Sequence, residues 1–468
     1  MKIRLAIIFI IVFVIVFVVL LIINIGFTTT TTGGEGMSNL PDVTEGMLDA
    51  NFWISRLDDA DKIIMTPDEI EEYNGRIDES VNEVVDLKGF PGAITGEALK
   101  EMIDEYKVPA LPRYDINGNM LGSDYYDNLL SRRGLSDVKG SNPVRFGLVV
   151  RRTNMRSFPT DDIVTNKPGD IEFDRFQETA LYVGEPLAIL HESSDRKWYF
   201  GQARFYRGWV RAEDVAIGSK EEVLGFTEKV PFIVVTGNHI KTGYDPYNQD
   251  VSGLTLDMGV KLPLVKDDDA TVDGQATQGN YVVEVPTKDA DGNLAVKKAM
   301  IPMSEDVSVG YLPYTRGNII RQAFKMLGER YDWGGRTGRR DCSSFIMDIY
   351  STFGFKLPRN TDEQEAMYGI RYDFKGRSDA EREAIFAKLK PGAALYMPGH
   401  AMLYLGKVDG REYMIHDFSG YGDMKEKMPD GDYRFIPVME VAVSSIDLPR
   451  TNGRTFMDAL TTAIQIEN

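Results

Sequence analysis

Residues 342–353, Cys-Ser-Ser-Phe-Ile-Met-Asp-Ile-Tyr-Ser-Thr-Phe, constrain this chain more than any other stretch. Phe345, Ile346, Ile349, Tyr350 and Phe353 recur at helical spacing and Gly354 follows as a stop, which predicts a helix with a buried apolar face. Its first residue is Cys342, the one cysteine among 468 residues, so no internal disulfide forms. A thiol in a first helical turn meets free backbone N–H groups and the positive end of the helix dipole. The expectation is a thiol pKa lowered to roughly 3.5–7.5, with backbone donors at hand for an oxyanion. By residue type alone, a lone cysteine is more often a buried structural one, so its surroundings decide. Two of the four histidines, His400 and His416, lie downstream, and a cysteine with a histidine base is a nucleophilic pair.

Those surroundings carry several phrases in order: Tyr-Asp-Trp-Gly-Gly at 331–335, Asp-Cys-Ser-Ser-Phe at 341–345, Leu-Pro-Arg-Asn-Thr at 357–361, Gly-His-Ala-Met-Leu-Tyr-Leu-Gly at 399–406, and Met414-Ile415-His416. Together they resemble the NlpC/P60 family of papain-like cysteine peptidases, which cut bacterial peptidoglycan stem peptides. Ser344 departs from the family's usual glycine but remains small. The resemblance implies Cys342 as nucleophile, His400 as base and His416 as the group that fixes the tautomer of His400. It also implies that Tyr331 offers its hydroxyl to the oxyanion and that Asp341 holds a free amino end. Ser343, Arg339 and Arg340 are grouped with these as substrate-binding residues. Between 316 and 340 there are seven basic residues against two acidic ones in a chain of net charge −18, which suits a substrate rich in carboxylates. For any single one of these cations, solvation of the helix face at 317–329 is the blander reading.

A chain this long exceeds one core and suggests several domains. The strong negative charge argues against nucleic acid as a partner. Residues 5–23 are uninterrupted apolar residues preceded by Lys2 and Arg4, and a helix of that length spans about 28 Å, near the hydrocarbon thickness of a bilayer. The expectation is a membrane anchor within 1–27, with the basic end cytoplasmic and the rest in the cell envelope outside the cytoplasmic membrane; a cleaved and secreted form is the lesser reading. Residues 28–40, opening Thr-Thr-Thr-Thr-Thr-Gly-Gly, read as a flexible linker.

Residues 41–142 read as mostly helical. Thr66-Pro67-Asp68-Glu69 is a capping box, further helices are expected at 96–106 and 123–133, and the region resembles the stabilising segment ahead of some NlpC/P60 enzymes. After Asn142-Pro143 short β runs alternate with Gly, Pro and Asp. Residues 143–218 resemble a bacterial SH3-like domain, and 219–314 is read as a second one. Residues 315–468 complete the chain as the peptidase domain, giving an α+β fold class overall. Trp198 and Trp209 are expected in a barrel core rather than a ligand groove, His191 and His239 are read as structural, and Arg156 and Tyr182 receive no role.

No cofactor or metal is called for. Asp289-x-Asp291-x-Asn293 begins like a calcium loop, but Leu294 stands where glycine is required and Met300 where the bidentate glutamate belongs, so it is a turn. No zinc-peptidase, phosphate-loop or serine-elbow signature occurs. The reading is therefore a cell-wall hydrolase, with the γ-D-glutamyl-diamino acid bond implied by the resemblance alone. Two rivals use the same residues: a wall-binding protein with an inactive peptidase scaffold, and a Cys-His acyl or amide transferase.

Strand parity adds one geometric expectation. Residues 400–407 and 411–418 form a hairpin, and side chains alternate between faces along each strand. A two-residue Asp409-Gly410 turn gives pairs of odd sum, sends His416 away from His400 and leaves Asp417 as the better partner. A three-residue loop with Gly410 as a bulge gives pairs of even sum and brings the two histidines together. The triad requires the even register.

Overall fold

The computed structural model describes residues 40–266 and 271–468. The expected anchor at 5–23 and most of the linker lie outside the described residues, and among these no helix is long and apolar enough to cross a membrane. In the N-terminal region the capping box forms: Glu69 accepts from the Thr66 N–H at 2.7 Å while the Thr66 hydroxyl accepts from the Glu69 N–H. It starts α1, Pro67–Ser80, and α2, Gly96–Asp104, and α3, Ser123–Arg132, follow. Helix α1 packs on the last region of the chain. Tyr73 donates to the Tyr368 carbonyl at 2.8 Å and Asn74 to the Gly354 carbonyl at 2.9 Å, on the glycine that follows the helix begun by Cys342.

Seven strands between 145 and 218 form one antiparallel sheet: β1 Arg145–Val149, β2 Thr153–Arg156, β3 Gln177–Leu181, β4 Pro186–Glu192, β5 Trp198–Gln202, β6 Arg207–Arg211 and β7 Val215–Gly218. Their order is β3-β2-β6-β5-β4-β1-β7. Trp198 and Trp209 are buried in the core of this sheet, 3% and 0% exposed. The unassigned residues find structural partners: Arg156 pairs with buried Asp174 at 2.9 Å, His191 meets the Arg133 carbonyl at 2.9 Å, and Tyr182 donates to Asp348 at 2.9 Å.

Residues 219–314, expected as a second SH3-like barrel, take the form of small sheets. A three-stranded one has the order β9-β8-β12, from β8 Phe232–Val235, β9 Lys261–Pro263 and β12 Val307–Val309; β10 Asn280–Lys288 and β11 Leu294–Pro302 make a separate ribbon. Their buried residues Ile233, Leu262, Val283 and Ile301 join Phe146, Leu148 and Trp209 in one apolar cluster. The two regions thus share a core. Asp289 accepts from the N–H groups of Asp291 and Asn293, as a turn does.

In the last region α4 Arg316–Phe324, α5 Cys342–Ser351 and α6 Thr361–Ala366 accompany a six-stranded sheet of order β13-β18-β14-β15-β16-β17. The strands are β13 Ile370–Asp373, β14 Ala394–Met397, β15 His400–Val408, β16 Arg411–Lys427, β17 Tyr433–Ser445 and β18 Thr462–Gln465. The expected three-residue loop between β15 and β16 does not form. Val408 pairs with Arg411 across a two-residue turn in which Asp409 and Gly410 have φ of 48° and 84°, the left-handed pair that suits the twist of a hairpin. The parity is corrected further along. A β-bulge between Tyr404 and Gly406 leaves Leu405 unpaired, and the pairs beyond it, Tyr404 with Met414 and Leu403 with Ile415, have even sums. Continued to the strand end, this register sets His416 opposite Met402, on the face of His400.

Removing the largest buried ring of the first sheet tests the shared core. Trp209→Ala is expected to cost about 3–5 kcal/mol, read from urea unfolding of the whole chain; a loss below about 1 kcal/mol contradicts this packing.

Candidate active site

The position of Cys342 is set by Asp341, the N-cap of α5. Its carboxylate accepts from the Ser344 N–H at 3.0 Å, and the Ser344 hydroxyl accepts from the Asp341 N–H at 2.9 Å. The serine that replaces the usual glycine therefore completes a capping box. The other Asp341 oxygen accepts from the Gly334 N–H at 3.0 Å and pairs with Arg359 at 2.7 Å. Arg359 also donates to Ser343 Oγ at 2.8 Å and to Thr179 Oγ1, on β3, at 2.7 Å. Burial alone would raise the Asp341 pKa, but Arg359 outweighs it and holds the carboxyl below its ordinary value. Asp341 is thus fully occupied within the fold, and the free-amine role implied by resemblance has no vacant oxygen to use.

Arg340 is also engaged. It is 1% exposed, its guanidinium pairing with Glu329 at 2.9 Å and with Asp348 at 2.6 Å. This corrects its assignment as a substrate-binding residue. Arg339 remains exposed, its N–H donating to Asp332 at 3.0 Å.

The thiol of Cys342 is buried. Its neighbours are the Thr361 hydroxyl at 4.0 Å and the backbone N–H of Ala401, the residue after His400. Burial first, then the Asp341 and Asp417 charges, push its pKa up to about 12. The lowering expected from the helix terminus is thereby reversed, because desolvation of a thiolate exceeds the stabilisation by a partial dipole charge. Tyr331 is buried beside this segment, with its N–H donating to the Met439 carbonyl at 2.9 Å. Burial and the nearby Cys342 keep its phenol protonated, well above the ordinary value.

His400 and His416 come together: Nε2 of His400 and Nδ1 of His416 are 2.8 Å apart, and Nε2 of His416 lies 2.9 Å from Ser444 Oγ. Phe418 stacks on His416 at 3.9 Å between ring centroids, and Phe456 packs edge-on against it. Burial, then Arg450, lowers the His400 pKa to about 3, and burial with His400 lowers that of His416 well below its ordinary value. Both rings are neutral. The chain His400–His416–Ser444 consumes Nε2 of His400 and leaves Nδ1 as the ring nitrogen to meet a substrate or thiol. No hydrogen bond links His400 to Cys342 among the described residues.

The first sheet borders this site. Gln177 donates to the Gly334 carbonyl at 2.9 Å, Arg152 to that of Gly335 at 2.6 Å and Asn154 to that of Arg336 at 3.1 Å, and the Phe173 ring lies 6.0 Å from that of Tyr331. Sequence reasoning missed Ser444, named Asp417 only as the partner of His400 in the odd register, and quoted Thr361 and Arg359 within a motif without giving either a role. Asp417 is fully buried and both its oxygens lack a hydrogen-bond partner. Among the described residues no group of His, Cys, Asp and Glu is arranged to hold a metal ion.

Two expectations follow. Arg359→Ala leaves Asp341 buried without its cation and should cost about 3–5 kcal/mol, seen as a lowered unfolding midpoint; an unchanged midpoint contradicts the clamp. In the free protein, alkylation of Cys342 by iodoacetamide should be slow at neutral pH and still rising above pH 9, and a profile complete below pH 8 contradicts a neutral buried thiol.

Comparison with known proteins agrees with this geometry. The NlpC/P60 family model matches residues 328–438, and the model of SH3 domains of the SH3b1 type matches 165–211. No curated protein matches the chain. Among solved structures, an NlpC/P60 endopeptidase of Photobacterium damselae subsp. piscicida is similar with a TM-score of 0.73 and 19% identity, over 91% of this chain and 98% of that one. At that identity the likeness is one of fold. An NlpC/P60 family protein of Bacillus cereus aligns with 17% identity over 68% of this chain and 99% of its own, at a TM-score of 0.47. The chain thus carries an NlpC/P60 domain match at 328–438 and an SH3 domain match of the SH3b1 type at 165–211.

Proposed function

We propose that the chain is a cell-wall hydrolase that cleaves peptidoglycan stem peptides at the γ-D-glutamyl-diamino acid bond, with Cys342 as nucleophile. The observation that carries this reading is the buried His400–His416 pair at 2.8 Å beside the strand residue whose N–H meets the thiol. The bond preference rests on the resemblance of 328–438 to the NlpC/P60 family. His400 Nδ1 takes the thiol proton, and His416, anchored on Ser444, holds the ring with that nitrogen free. Because the thiol is held neutral and the imidazole is a weak base at rest, proton transfer accompanies attack on the carbonyl. The protonated Tyr331 hydroxyl and the N–H of Cys342 receive the oxyanion, and His400 then protonates the leaving amine. The apolar run at 5–23, with Lys2 and Arg4 before it, supports placement in the cell envelope outside the cytoplasmic membrane.

The first sheet stands at the Tyr331 and Trp333 side of the site, which supports short or free-ended stems as substrates. Incubation with a defined stem tripeptide and product identification by mass tests the reading. Release of the free diamino acid is expected, lost in Cys342→Ala and reduced at least a hundredfold in His400→Ala. Products cut elsewhere overturn the bond, amide transfer to an added amine in place of hydrolysis supports a transferase, and turnover by Cys342→Ala overturns the nucleophile.

A further inference from the structure

His239 was read from the sequence as a structural histidine, yet it sits between two carboxylates that belong to different parts of the chain. Its Nδ1 faces Asp257 at 3.4 Å and its Nε2 faces Glu329 at 3.2 Å. Both carboxylates are buried. Arg152 reaches Asp257 at 3.2 Å, and Arg340 reaches Glu329 at 2.9 Å. Asn238 completes the cluster, donating to Glu329 at 2.6 Å and accepting from Arg340 at 2.6 Å on its side chain and 3.0 Å on its carbonyl. Arg340 Nη1 also lies 3.5 Å from His239 Nε2. Among the described residues, the charged groups within 3.5 Å of the imidazole are Asp257, Glu329 and Arg340, with Arg152 behind Asp257.

A neutral imidazole would turn a lone pair toward one of the carboxylates, whereas an imidazolium meets Glu329 with a hydrogen bond at Nε2 and Asp257 with its charge, Nδ1 lying at 3.4 Å without hydrogen-bond geometry. Two buried carboxylates this close to one ring favour its charged form. Arg340 stands two residues before Cys342, and its guanidinium spans Glu329, Asp348 and Asn238. Whatever fixes that guanidinium fixes the turn into α5.

We propose that His239, as an imidazolium joining Asp257 to Glu329, is a positioning residue for Cys342, so that residues 238–257 form part of the catalytic unit rather than a detached wall-binding module. The proposal rests on Cys342 being the nucleophile. Burial alone would lower the His239 pKa, but Asp257 and Glu329 outweigh it and raise it above the ordinary value. Reciprocally, Glu329, which burial alone would raise, is held at about 2 by His239 and Arg340. A raised folded pKa means that the clamp is complete below about pH 6.5, the unfolded value, and is lost as the pH rises through the folded one.

The test compares the full chain with His239→Gln and His239→Lys in two assays: iodoacetamide alkylation of Cys342 against pH without substrate, and kcat and KM on the stem tripeptide. His239→Gln should remain folded by circular dichroism, lose tenfold or more in kcat with KM within twofold, and shift the alkylation profile. His239→Lys, a permanent cation, should recover at least a third of kcat and move the alkaline loss of activity to higher pH. Wild-type kcat and alkylation in His239→Gln overturn the proposal, as does a His239→Lys protein no better than His239→Gln. Should neither variant fold, NMR titration of His239 in the unaltered chain decides: a midpoint above pH 6.5 that coincides with a break in Cys342 alkylation supports it, and any other result overturns it. If the unaltered chain cuts no stem peptide, the proposed function fails while the alkylation arm still decides the role of His239.

Discussion

The ion pair between Arg359 and Asp341 is the interaction on which the rest of the site depends. Asp341 caps the helix that begins with Cys342, and its second oxygen is held by Arg359 and the Gly334 N–H. Arg359 reaches from there to Ser343 and to Thr179 of the SH3-like sheet. One guanidinium thus joins the helix that begins with Cys342, the 331–335 turn and the neighbouring domain. A pair this deeply buried is weak evidence for stability in itself, since desolvating both ions offsets most of their attraction. Its effect is geometric: with either partner removed, the other is left charged and unsatisfied, so the site is either assembled in this form or not at all.

Around that pair the polar groups divide into two sets. Arg340, Glu329, Asp348, Asp257, Arg152 and His239 neutralise one another where three regions of the chain meet. Cys342, His400, His416 and Ser444 form the other set, kept neutral by burial, with Phe418 and Phe456 packed against His416. Holding the thiol neutral also guards it against oxidation, because a free thiolate is the oxidisable form of cysteine. In the proposed mechanism the same burial means that the charge separation needed for attack arises only with substrate in place.

Much of this could be read from residue order. The apolar face of 342–353 specified a buried helix with Cys342 at its start, and the capping phrase at 66–69 specified α1. The Asp409-Gly410 signal specified a two-residue turn, and the parity argument specified that the histidines share a face. The two statements conflicted, and a bulge at Leu405 that no local pattern announces reconciled them. The direction of the thiol pKa was misjudged because a helix dipole is visible in the sequence and desolvation by distant strands is not. Arg340 and Asp341 looked available for substrate because their partners, Glu329, Asp348 and Arg359, become neighbours only in the folded chain. Ser444 carried no signal for the same reason and Thr361 only its place in the 357–361 phrase, while residues 219–314, expected as a second barrel, form small sheets that share the core of the first.

The most direct test of the central claim is to trap the covalent intermediate. Rapid acid quench of a single turnover with a stem peptide, followed by peptide mass mapping, should show the acyl fragment attached as a thioester to the peptide that contains Cys342, appearing before free product and absent in Cys342→Ala. Product formed with no adduct at any time, or an adduct on another residue, would contradict the assignment.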